Sequence, residues 1–195
     1  MQLTHKKISL KATILFSTLL TAVILSGCGY QKDISYMPAD VKQKTEESLQ
    51  ENLQKYNSAK DDSEKSKYVE EIAFNYMNLG KYTDSIKYYE KLLETNSAYY
   101  PALNNIAVMY DEMGETLKAL TYEQKLYEAN STNLQVIEKF IGMLLKDGQL
   151  DNAQSILETY AGTDEGKGEM AFVSSMFSEI RSAKGLEANP KQTTK

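Results

Sequence analysis

Three stretches of the chain, Ile72–Ile86 (IAFNYMNLGKYTDSI), Ile106–Leu120 (IAVMYDEMGETLKAL) and Phe140–Gln154 (FIGMLLKDGQLDNAQ), align without a gap at one constant interval. Each places a glycine at the same point: Gly80, Gly114 and Gly148. The apolar positions keep register around them, as Ile72, Ile106 and Phe140, then Tyr76, Tyr110 and Leu144, then Tyr88, Tyr122 and Ile156. Spacings of three and four residues on both sides of the glycine predict two amphipathic helices per unit. The glycine predicts a left-handed C-terminal end to the first helix. Small residues at Ser85, Ala119 and Ala153 let the second helix approach the first closely. One such pair cannot bury its own apolar stripe, so neighbours must stack. The expectation is an all-α solenoid with units at 66–99, 100–133 and 134–167.

A 34-residue unit of paired helices resembles the tetratricopeptide repeat. Departures include Ser97 and Ser131 where the family usually has a proline after the second helix, and Gln154 in place of an aliphatic residue. Tyr76, Tyr82, Tyr88, Tyr110 and Tyr122 occupy positions where the family places large packing residues, so core packing explains them. The resemblance implies that the first helices line a concave groove for a partner. Carried over residue by residue, that groove is Lys67, Glu70, Phe74, Met77 and Asn78 in the first unit. The second unit supplies Asn104, Val108, Asp111 and Glu112, and the third Gln135, Glu138, Leu145 and Lys146. One subclass of the family clamps a C-terminal carboxylate. Its positions here hold Glu70 and Phe74, then Asn105, then Gln135 and Lys139, and Glu70 would repel the ligand.

The N-terminus has a different character. Residues 1–11 carry His5, Lys6, Lys7 and Lys11 without an acid, and Ala12–Leu25 is an apolar run of 14 residues. A spanning helix needs roughly 20, whereas a basic flank before a shorter run matches a secretory signal peptide. The run closes Leu25-Ser26-Gly27-Cys28, which resembles the lipobox of bacterial lipoproteins. The resemblance implies cleavage after Gly27, a diacylglyceryl group on the Cys28 thiol with palmitate-type acylation, and Cys28 as the first mature residue. Two acyl chains suffice for stable anchoring where one is marginal.

Beyond the signal (1–27), Gly29–Asp40 is polar and irregular, and 28–40 is expected to be a flexible tether. Val41–Tyr56 has a thin apolar face (Val41, Leu49, Leu53, Tyr56) and is expected to be helical, with a charged break over Asn57–Lys65. The third unit trails into a Gly-rich loop at 161–168. Met170, Phe172, Val173, Met176, Phe177 and Ile180 then form an apolar stripe, expected to be a capping helix within 168–184. A solenoid needs such a cover on its last unit, and the other use of this helix is to bind a partner. The tail 185–195 is polar and expected to be disordered.

The chemistry on offer is sparse. Cys28 is the only cysteine and His5 the only histidine of the 195 residues. If the signal is removed, the mature chain has no imidazole, which excludes Ser-His-Asp catalysis and His-ligated zinc. No phosphate-binding glycine loop or nucleophile motif is present, and the acids at 164–169 lack the spacing of a calcium loop. Removal of 1–27 takes away three lysines and no acid, leaving 19 basic and 27 acidic groups and a net charge of about −8. That surface repels nucleic acid and anionic headgroups, so membrane attachment would come from the lipid. These features lead to the expectation of a non-enzyme, without cofactor or metal. It would be a membrane-anchored scaffold or adaptor for a protein or peptide partner in a bacterial envelope assembly, held in the outer membrane if the cell has one. The competing expectation is a lipoprotein that binds a small ligand or cell-wall fragment, or that regulates a cell-wall enzyme.

Overall fold

The computed structural model describes residues 30–185, so the signal run, Cys28 and the tail beyond Gly185 lie outside the described residues. The described residues form nine helices and no strand. They are α1 (Ala39–Ser58), α2 (Asp62–Asn78), α3 (Tyr82–Thr95), α4 (Tyr100–Glu112), α5 (Thr116–Ala129), α6 (Leu134–Lys146), α7 (Leu150–Ala161), α8 (Asp164–Gly168) and α9 (Met170–Ala183). Each helix from α1 to α8 packs on its successor, and α9 folds back onto α7. The three pairs α2–α3, α4–α5 and α6–α7 are the three repeated units.

The turn inside each pair has one construction. Gly80, Gly114 and Gly148 have φ of 71°, 75° and 76°. That conformation lets Lys81 N donate to Tyr76 O at 2.9 Å, Glu115 N to Tyr110 O at 2.9 Å and Gln149 N to Leu144 O at 2.8 Å. The glycine amides donate to Met77, Asp111 and Leu145. This double closure, the Schellman motif, satisfies carbonyls that a helix end otherwise leaves unpaired. The repeat continues in the aromatic packing. Tyr76 stacks on Tyr88 and Tyr110 on Tyr122, each with ring centroids 5.7 Å apart. The third pair has Leu144 and Ile156 at these positions. Ser85, Ala119 and Ala153 are fully buried between the helices of their pairs.

The core is a chain of clusters, one at each junction. Leu49, Ile72 and Leu79 join α1 to the first pair. Ala73, Tyr82, Ile86, Tyr89, Ala102, Ile106 and Met109 join the first pair to the second. Leu103, Leu126 and Val136 join the second to the third, and Leu157 and Tyr160 pack with Val173, Met176 and Ile180 of α9. The expected cap is therefore in place, over Met170–Ala183. Lys184 fastens its end, donating to Asp151 Oδ1 at 2.7 Å and to Gln154 Oε1 at 2.6 Å.

Three boundaries differ from the sequence reading. The charged break expected over Asn57–Lys65 shrinks to a short turn, because Asp61 and Glu64 form a helix start. Glu64 N donates to Asp61 Oδ1 at 2.9 Å, and Lys60 N donates to Glu64 Oε2 at 2.9 Å. An acid followed three residues later by glutamate caps a helix, so α2 begins at Asp62, upstream of the expected unit. Second, the Gly-rich loop contains α8. Its Gly166 sits so close to Tyr160 that a Cβ there would meet the Tyr160 carbonyl oxygen at 2.0 Å. Third, the segment expected as a flexible tether is held on the solenoid from Tyr30 to Met37. Lys32 N donates to Gly80 O at 2.9 Å and Gln31 Nε2 to Leu79 O at 2.8 Å. The Tyr30 ring stacks on Tyr82 at 5.3 Å, and Ile34 packs on the Leu49, Ile72 and Leu79 cluster. Successive residues of this short extended stretch thus find partners, which a reading for turn-forming polarity does not register.

Candidate functional site

The expected groove residues all lie on the first helices of the three pairs. Lys67, Glu70, Phe74, Met77 and Asn78 are on α2, Asn104, Val108, Asp111 and Glu112 on α4, and Gln135, Glu138, Leu145 and Lys146 on α6. Phe74 and Val108 occupy one register position in successive units, and both are large apolar residues left open to solvent, 45% and 39% exposed. Gly142 follows at the same position of α6 and adds no side chain, so the apolar strip narrows there.

Two adjoining hollows meet at Val108, and Phe74 stands outside both. The first is lined by Met77, Asn78, Val108, Met109 and Glu112 on one side and by Lys32, Ile34, Tyr36 and Met37 of the N-terminal segment on the other. The chain's own segment thus forms one wall of its groove. Lys32 Nζ lies 2.6 Å from Glu112 Oε2 and over the Tyr82 ring, and the Tyr82 hydroxyl donates to the same carboxylate oxygen. Burial pushes the Glu112 carboxyl up, but Lys32 and Tyr82 outweigh it and hold it below its usual value. Lys32 is raised by the hydrogen bond to Glu112. Burial, with Glu112 accepting its proton, pushes Tyr82 up to about 12.

The second hollow lies between α4 and α6, with α5 beneath. Ala107, Val108, Asp111, Glu112, Glu123, Lys139 and Met143 line it. It is an open hollow of about 310 Å³, the lower end of small-molecule sites at roughly 300–1,000 Å³. Lys146 pairs with Asp111 across the groove, and Lys139 Nζ donates to Asn104 Oδ1 at 2.7 Å. Glu123 rises from α5 into the floor. It is 4% exposed, and its Oε2 atom has no hydrogen-bond partner. Burial raises its carboxyl, with Asp111 adding to the shift and Lys139 opposing it.

The expected residues therefore divide. Met77, Asn78, Val108, Asp111 and Glu112 are brought together in the hollows, and Asn104 and Lys146 join through their bonds to Lys139 and Asp111. Glu70 accepts from the Tyr99 hydroxyl at 2.8 Å, which ties it to the residue that precedes α4. Leu145 is half-buried against the core of the last pair, and Lys67, Gln135 and Glu138 are exposed on helix faces outside both hollows. Glu123 was missed, although the sequence carried its signal. It stands one repeat after Tyr89 and one before Leu157, both buried, and an acid at a core register position is costly unless something uses it. A third hollow lies on the side built by the second helices, among Leu117, Tyr127, Phe140 and Ile156. No helix of the described residues is long and apolar enough to cross a membrane, and no group of three or more acids, histidines or cysteines among them is placed to hold a metal ion.

No family model and no curated protein matches the chain. Solved structures do. A double mutant of MamA from RS-1 has a TM-score of 0.51 at 13% identity, over 74% of this chain and 91% of its own. MamA from residue 41 to its end, from Desulfovibrio magneticus RS-1, has a TM-score of 0.50 at 13% identity, over 77% and 94%. At such identity the likeness concerns the backbone alone, and the shared fold is the all-α solenoid of tetratricopeptide-type helical hairpins.

Proposed function

We propose that this protein is a non-catalytic scaffold whose groove, lined by α2, α4 and α6, holds an extended segment of a protein partner. The observation that carries the reading is the groove itself: apolar Phe74 and Val108 stand open to solvent at one register position of successive units, flanked by Asn104, Asp111, Glu112 and Lys146. An apolar strip edged by an amide and by charges of both signs fits an extended chain. The groove already accepts one, since Lys32 of the N-terminal segment lies on Glu112. Both groove hollows are open along the surface rather than closed over, as suits a segment lying across them.

The Leu25–Cys28 motif supports placing this scaffold at a bacterial membrane, lipid-anchored through Cys28 in an envelope assembly. Crosslinking and co-purification from detergent-solubilised membranes test the adaptor reading. Recovery of a partner lost on Val108→Arg supports it, and recovery of none counts against it. Cys28→Ala tests the anchor, because variant protein that still fractionates with membranes after signal cleavage refutes lipidation.

A further inference from the structure

We propose that the hollow floored by Glu123 is a subsite for one arginine or lysine side chain of the partner segment. This rests on the groove reading above. The first argument is the unsatisfied oxygen. At the junction of the first and second pairs, Asn105 Nδ2 donates to the Tyr89 hydroxyl at 2.7 Å, a closed polar contact. The equivalent positions at the next junction, one repeat further on, hold Glu123 and Lys139. These two do not close on each other. Lys139 reaches instead to Asn104, and Glu123 Oε2 is left buried without a partner. A buried acceptor without a donor costs about 1–3 kcal/mol, more when charged, so a donor entering from the groove recovers what the fold gave up.

The second argument is the shape of the chemistry. Ala107, Val108 and Met143 form apolar walls, and of the three acids in the lining Asp111 and Glu112 are already paired with Lys146 and Lys32, which leaves Glu123 as the open carboxylate. A long side chain with an aliphatic stem and a cationic head matches both. A neutral donor would satisfy the oxygen without balancing its charge, whereas a cationic head does both, and an anionic head would be repelled. Lys139 and Lys146 do not fill the role, being engaged with Asn104 and Asp111. The third argument is the precedent next door. In the adjoining hollow, which shares Val108 and Glu112, a lysine from an extended segment already sits on a carboxylate.

The test is to pan a random dodecapeptide phage library on the full chain in detergent micelles and to measure the selected peptides as synthetic ligands by calorimetry. The expected peptides share one fixed arginine or lysine. Replacing that arginine by citrulline, or a fixed lysine by norleucine, weakens binding about tenfold or more. Glu123→Gln does the same, and the two losses combine non-additively because they remove one contact. The peptide-side replacement leaves the protein untouched, so the inference stays testable even where a Glu123 variant misfolds. Peptides blocked by Val108→Arg but indifferent to the charge change and to Glu123→Gln would overturn the subsite and leave the groove reading standing. No enriched peptide, or binding untouched by Val108→Arg, would overturn both.

Discussion

Gly80 and Gly114 share a backbone conformation and differ in what surrounds them. A Cβ on Gly80 would lie 2.7 Å from Lys32 O and 2.9 Å from Gln31 Nε2, while one on Gly114 meets nothing within 4 Å. Left-handed backbone costs a non-glycine residue roughly 1–2 kcal/mol. Gly114→Ala should lose about that much in urea unfolding. Gly80→Ala should lose more, and the excess should vanish when residues 30–37 are deleted, since only the docked segment creates the clash. Equal losses in the intact chain would show the segment unattached. Two buried tyrosines predict the alkaline limit. Burial pushes Tyr82 and Tyr89 up to about 12, Tyr82 also through Glu112, while Asn105 partly offsets the rise at Tyr89. Their folded values lie above the ordinary value near 10, so their contribution is fully present below pH 10 and is lost as the pH rises from 10 through 12. Ultraviolet titration should show these two ionising with unfolding, and a fold that outlasts complete tyrosinate formation would contradict their burial.

At the scale of the helices, the repeated small residue sets how closely each pair can pack. Ser85 is fully buried, and its hydroxyl donates to Ala73 O at 2.7 Å. Ser85→Ala removes one hydrogen bond and should cost about 0.5–1.5 kcal/mol. Ser85→Leu forces α3 away from α2 and should cost about 1–3 kcal/mol or more, read as a lower urea midpoint. A neutral Ser85→Leu would mean the pair does not close there. The turns and the small residues were legible because both recur once in every unit. The start of α2 was not, because Asp61-Asp62-Ser63-Glu64 has the composition of a solvated linker, and only its geometry shows Asp61 accepting from the Glu64 amide. Reading it as an acid with glutamate three residues on would have placed the cap.

The described residues form a stack with a cover at each end, α1 at one and α9 at the other. A stack is about as stable as its interfaces with neighbours. Ending the chain before Met170 removes Val173, Met176 and Ile180 from Leu157 and Tyr160. The truncated protein should melt at lower temperature, bind hydrophobic dye and associate, while retaining helical circular dichroism. An unchanged melting temperature would mean that α9 is not a cap and is available to a partner.

The order of helices, their pairing and the end cap follow from a short repeat and the apolar stripe after it, because local periodicity and nearest-neighbour burial are written in consecutive residues. The conversion of an expected tether into a wall of the groove and the isolation of Glu123 do not. Each depends on residues tens of positions apart meeting in space: Lys32 on Gly80 and Glu112, and Lys139 turned to Asn104 rather than to the acid. One chain of residues lists these groups, but which of them end up partnered is settled by distance after folding.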